Sequence, residues 1–145
     1  MATYTATRVS SAIPPKYSPT DLVVEYAQYS GSATYSAGDV IQFFKVDAGA
    51  RFVYGHITTN EDTKTVQNTY AVGDGVDTDR YFASASVVPT TIGRMPDRNT
   101  GNTYEYTAAD TIDVRIEATG GTGGATILIS MTALVDYTAG DPSSH

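Results

Sequence analysis

The sequence predicts an all-β fold: a two-sheet antiparallel sandwich, jelly-roll-like, of about eight strands, with an extended N-terminal arm. Three observations carry that expectation. The first is composition. Among 145 residues there are 22 Thr and 11 Tyr but only three Leu, Leu22, Leu128 and Leu134. Thr, Tyr, Val and Ile suit a pleated, half-buried surface, whereas a helical chain leans on Leu, Ala, Glu and Lys. The second is unbroken period-2 alternation over residues 111–118 and 126–137. The third is punctuation: Gly, Pro and Asn clusters recur at intervals too short for helices between them.

The strands follow in order. Residues 22–29 (LVVEYAQY) form the first, ended by Ser30-Gly31-Ser32. Residues 40–46 (VIQFFKV) are apolar on nearly both faces, as a covered central strand is. Asp47-Ala48-Gly49-Ala50 is a turn, and residues 51–58 return from it. Asn60-Glu61-Asp62 leads into a strand over residues 63–72, broken by Gly73-Asp74-Gly75. Residues 80–88 come next, stopped by Pro89. Residues 89–102, with Gly93, Pro96 and Asn99-Thr100-Gly101-Asn102, read as a long loop, and residues 103–107 as a short strand. In residues 111–118, Ile112, Val114, Ile116 and Ala118 share the core face, while Asp113, Arg115 and Glu117 face water. In residues 126–137, Ile127, Ile129, Met131, Ala133, Val135 and Tyr137 make one apolar stripe. The predicted core is led by Ile112, Val114, Ile116, Ile127, Ile129, Met131 and Val135. The domain plan is an arm over residues 1–20, a sandwich over 21–138 and a C-terminal tail over 139–145.

Charge and composition exclude whole classes of function. There is no Cys, which removes disulfides, thiolate catalysis and Cys-based metal sites. Two His, His56 and His145, are too few for a three-His zinc site. A net charge of −7 disfavours a nucleic-acid partner, whose affinity comes from Lys and Arg on phosphates. No run approaches the roughly 20 apolar residues of a membrane helix, so no membrane partner is expected. Residues 1–20 lack the apolar core of a signal peptide. They carry Arg8 and Lys16 and no acid, so the rest of the chain is −9. Pro14, Pro15 and Pro19 forbid a helix there. The expected role is an arm lying along a neighbouring subunit, with Tyr4, Ile13 and Tyr17 as apolar anchors.

No motif carries catalysis. The Gly120–Gly124 loop lacks the following helix and Lys of a phosphate cradle. Asp74, Asp77 and Asp79 are spaced closely enough to hold Ca²⁺, but they lack the alternate-ligand pattern and terminal Glu of a calcium loop, and Arg80 is adjacent to neutralise one of them. His56 with Ser84 or Ser86 and Asp113 lacks any nucleophile motif. Glu25, Glu61, Glu105 and Glu117 show no spacing that selects a glycosidase pair. The Tyr content suits a protein interface, where Tyr is enriched, or sugar stacking.

Three stretches taken together resemble a known group: VIQFFKVDAGA (residues 40–50), VGDGVDTDRYF (72–82) and YEYTAADTIDVR (104–115). Their order resembles that of small all-β virion proteins of tailed bacteriophages, and the resemblance spans most of residues 38–137. It implies a non-enzymatic capsid decoration or cement protein with no cofactor. Such a protein binds the major capsid protein on the exterior of the virion, most simply as a homotrimer. A head-fibre or tail component is the alternative within the group, and a carbohydrate- or receptor-binding module the alternative outside it. The arm residues Tyr4, Arg8, Ile13, Pro14, Pro15, Lys16 and Tyr17 are the expected partner-binding set.

Overall fold

The computed structural model describes residues 1–6, 22–32, 35–60, 68–86, 93–97, 101, 104–118 and 126–137. Nine strands lie in these segments: β1 (Thr3–Thr5), β2 (Leu22–Ser32), β3 (Val40–Val46), β4 (Arg51–Thr59), β5 (Thr69–Gly73), β6 (Phe82–Ser86), β7 (Gly93–Met95), β8 (Asp110–Ala118) and β9 (Thr126–Asp136). They form a five-stranded sheet, β1-β3-β8-β5-β6, and a four-stranded sheet, β2-β9-β4-β7. All pairs are antiparallel except β1 with β3. With β1 set aside, the strands pair from the outside in: β2 with β9, β3 with β8, β4 with β7 and β5 with β6. That nested pairing is the jelly-roll arrangement of two Greek keys, which the turn-punctuated sequence predicts.

The core lies between the sheets. Alternation along β8 turns Ile112, Val114 and Ile116 inward, and alternation along β9 does the same for Ile129, Met131, Ala133 and Val135; all seven are fully buried. Phe43, Phe44, Phe52, Ile57, Tyr70, Tyr81 and Met95 fill the space against them. Each such side chain contributes about 1.5–3 kcal/mol by leaving water. Of the predicted core, the Ile127 side chain lies outside the described residues.

β3 explains its own apolar sequence. A bulge between Gln42 and Phe44 inserts Phe43, so both phenylalanines are buried without breaking the strand. Gly49, at a φ of 87°, makes the turn into β4; a residue with a Cβ is strained in that conformation.

The structure corrects four expectations. The short strand expected over residues 103–107 is not seen in its described part, 104–107, which contributes one bridge, Glu105 to Arg51. The loop expected over residues 89–102 contains β7, an edge strand paired with Gly55, His56 and Ile57. Residues 1–6 are not a free arm, because β1 pairs with β3 of the same chain, Thr3 opposite Val40 and Thr5 opposite Gln42. Finally, the outer face of β8 is not uniformly wet. Arg115 and Glu117 are half-buried and Asp113 is buried, because the loop after β5 lies against that face, with Thr78 bonded to Arg115. Alternation reports which face a residue takes, not what covers the face.

Candidate functional site

The covering loop is built around Asp74. A Cβ on Gly73 would run into the carbonyl oxygen of Asp77, so glycine lets the chain double back here. The Asp74 backbone N–H donates to the Asp77 carbonyl at 3.0 Å. Asp74 Oδ1 accepts from the N–H groups of Val76 (3.0 Å) and Asp77 (2.8 Å), and Oδ2 accepts from Arg80 Nε at 2.5 Å. The Arg80 guanidinium lies 3.6 Å from the centre of the Tyr104 ring. Burial opposes its charge, but the Asp74 bond and charge outweigh burial and hold Arg80 more firmly protonated than usual. Beneath it the Tyr81 hydroxyl donates to that of Tyr106 at 2.6 Å, and burial raises the pKa of both phenols. Arg80 therefore meets Asp74, as its adjacency in sequence suggests. Asp77 reaches Arg80 only at 3.9 Å. Among the described residues no group of three or more His, Asp or Glu gathers in metal-binding fashion.

Between this loop and the sheet is a partly open cleft of about 410 Å³, walled by Met1, Thr3, Gln42, Gly75, Thr78 and Asp113 among others. Asp113 is 9% exposed and its Oδ1 has no hydrogen-bond partner. Burial pushes its carboxyl up to about 7. The Thr111 hydroxyl bond opposes that rise, and the neighbouring charges of Asp110 and Asp74 add to it. Arg115, two residues on, turns to Thr78 Oγ1 (3.1 Å) and Glu117 (3.4 Å).

The N-terminal strand is anchored by aromatic contacts. Tyr4 is half-buried and meets Tyr35 edge-on at 5.4 Å and Tyr29 at 5.9 Å. Burial, together with nearby Asp39, raises its pKa. Asp39 accepts from the N–H groups of Ser36 (2.9 Å) and Ala2 (2.6 Å), which lower its pKa and tie down the first residues. Of the predicted partner-binding residues only Tyr4 is thus located, on its own subunit. Arg8, Ile13, Pro14, Pro15, Lys16 and Tyr17 lie outside the described residues, as does the Gly120–Gly124 loop.

The remaining chemical candidates are dispersed. His56 sits in β4 between Thr132 and Arg94, in the sheet that does not contain Asp113. Glu105 pairs with Arg51 at 2.7 Å. Glu25 is buried on β2, and Glu61 lies outside the described residues.

Sequence reading missed one surface. On β2, an edge strand of the four-stranded sheet, Leu22, Val24 and Tyr26 are 57%, 68% and 53% exposed. The register sets Leu134 between Val24 and Tyr54, and Tyr54 and Val53 are exposed as well. Contiguous apolar surface of this kind marks contact sites in soluble proteins. The signal was present in LVVEYAQY, where alternate apolar residues flank the buried Glu25 and Ala27.

No family model matches this chain, and no curated protein matches it. Solved structures do. A chain in the capsid of Ralstonia phage GP4 superposes with a TM-score of 0.73 at 15% identity, over 93% of this chain and 97% of that one. A chain of the cyanophage Pam1 capsid asymmetric unit gives 0.61 at 17% identity, over 86% and 91%. A chain in the acid-stable capsid of Helicobacter pylori bacteriophage KHP30 gives 0.53 at 10% identity, over 77% and 87%. At these identities the likeness is one of fold. The structural neighbours are phage capsid proteins, the class to which the sequence resemblance points.

Proposed function

We propose that this chain is a non-enzymatic structural protein of a phage virion: a decoration or cement protein on the capsid exterior that binds the major capsid protein. The observation that carries this reading is the end-to-end likeness to a chain of the GP4 capsid, which accounts for 97% of that chain. Two features of this molecule support it. Its buried ion pair, Asp74 with Arg80, is consumed in shaping a loop. Its open sheet face carries Leu22, Val24, Tyr26 and Tyr54 toward solvent. In this reading the protein assembles as a homotrimer, and the basic stretch with Arg8, Ile13, Pro14, Pro15, Lys16 and Tyr17 contacts a neighbouring subunit. A linked second contact strengthens attachment through effective concentration. The test is addition of purified protein to phage shells that lack it, followed by sedimentation and cryo-electron microscopy. Saturable binding with new density on the outer surface is the expected result. Failure to bind shells, with density instead at a fibre or tail, overturns the decoration role.

A further inference from the structure

We propose that β2 is an edge for self-association. It pairs antiparallel with β2 of a second copy about a two-fold axis and joins the two four-stranded sheets into one. β2 ends its sheet, and among the described residues it pairs with β9 alone. A row of backbone N–H and C=O groups on such an edge is a template for another strand, and folded proteins blunt it with short strands, Pro, Lys or bulges. The other three edges follow that rule. β1 and β7 have three residues each, β7 runs into Pro96, and β6 has five residues and an interrupted register. β2 has eleven residues and no Pro, Lys or Arg. Its register against β9 runs from Leu22 to Ser32 without a shift, whereas the β3–β8, β4–β9 and β5–β8 pairings are each interrupted.

The occupant that fits is a second copy. Copies carrying −7 each repel one another in general. The β2 edge is a place where they can meet, because its one charged residue, Glu25, is buried. The strand is also complementary to itself. In full antiparallel register about Ala27, Val24 lies opposite Ser30, Tyr26 opposite Gln28 and Glu25 opposite Tyr29, so no like charges face each other. Tyr26, 53% exposed, is then diagonal to the second copy's Tyr26, within reach of an aromatic side chain. Two such edges form about ten backbone hydrogen bonds, the number found in a typical protein interface. Side-by-side pairing leaves Leu22, Val24, Tyr26, Val53 and Tyr54 facing outward on the enlarged sheet. A two-fold contact cannot itself close a trimer; in the decoration role it links neighbouring trimers.

The experiment follows amide hydrogen exchange of the full chain by NMR at fixed pH, over about a hundredfold range of protein concentration. Consecutive N–H groups of a strand point to opposite edges. Every second amide from Leu22 to Ser32 should therefore gain at least about tenfold protection in concentrated solution. The intervening amides, which face β9, should not change. V24E/Y26E sets acidic charges beside the axis and should abolish the gain. V53E/Y54E makes the same change in net charge on the same face but away from the edge, and should keep it. Protection that does not depend on concentration, or that rises on all β2 amides alike, overturns the pairing. So does a gain that V53E/Y54E abolishes equally, which would mean that two copies meet face to face. These measurements need no shells, so they succeed or fail independently of the decoration role.

Discussion

Arg80 and Asp74 are unequal partners in exposure, at 10% and 1% of their side chains. Removing the arginine leaves a carboxylate in the interior with its charge uncompensated, so R80A should cost about 3–5 kcal/mol in urea unfolding. A loss under 1 kcal/mol would mean that the two backbone N–H groups on Asp74 suffice. Asp113 gives the opposite sign. Its carboxyl titrates near 7 when folded, against 3.8 ordinarily. The folded state then holds the extra proton between those values, so stability falls as pH rises through the window and the loss is complete above pH 7. D113N lacks this penalty. It should exceed the wild type by about 2–4 kcal/mol at pH 8 and match it near pH 3.5. Equal gains at both pH values would point to packing instead of charge. The Asp74–Arg80 pair was legible because the two residues are near in sequence. The burial of Asp113 was not, since it depends on the loop after β5, about forty residues earlier in the chain, which sequence spacing does not bring against β8.

At the scale of elements, β8 and β9 were legible because nothing interrupts their alternation. β3 and β4 each carry a bulge, after Gln42 and after Phe52, which shifts the pattern by one residue midway. β7 escaped because its three residues, Gly93–Met95, begin with Gly and run straight into Pro96 and so look like punctuation, and Pro is tolerated at an edge. The consequence is largest for β1. Sequence reading makes residues 1–20 dispensable for stability. But Ala6 is fully buried, its N–H bonds the Gln42 carbonyl at 2.8 Å, and Tyr4 packs on two other tyrosines. Deleting residues 2–6 should therefore cost about 2–4 kcal/mol, a fall in Tm of about 5 °C or more. An unchanged melting curve would show β1 to be a surface attachment that adds nothing to the fold.

At the scale of the whole molecule, the two sheets are asymmetric. The five-stranded sheet has its outer face partly roofed by the Asp74 loop, while the four-stranded sheet presents Leu22, Val24, Tyr26, Val53 and Tyr54 to water. A net charge of −7 keeps such a chain soluble without covering that face. Side chains that point away from the core contribute little to folding, so replacing them tests assembly without unfolding the protein. The double variant V24E/Y26E should keep its unfolding free energy within about 0.5 kcal/mol per site. In the proposed role it should bind shells at least tenfold more weakly, about 1.4 kcal/mol. Because the contact is apolar, wild-type binding should also survive a rise in salt that screens surface charge pairs. A variant that folds normally and decorates shells as tightly as the wild type would remove this face from the interface. The contact would then have to lie elsewhere on the molecule.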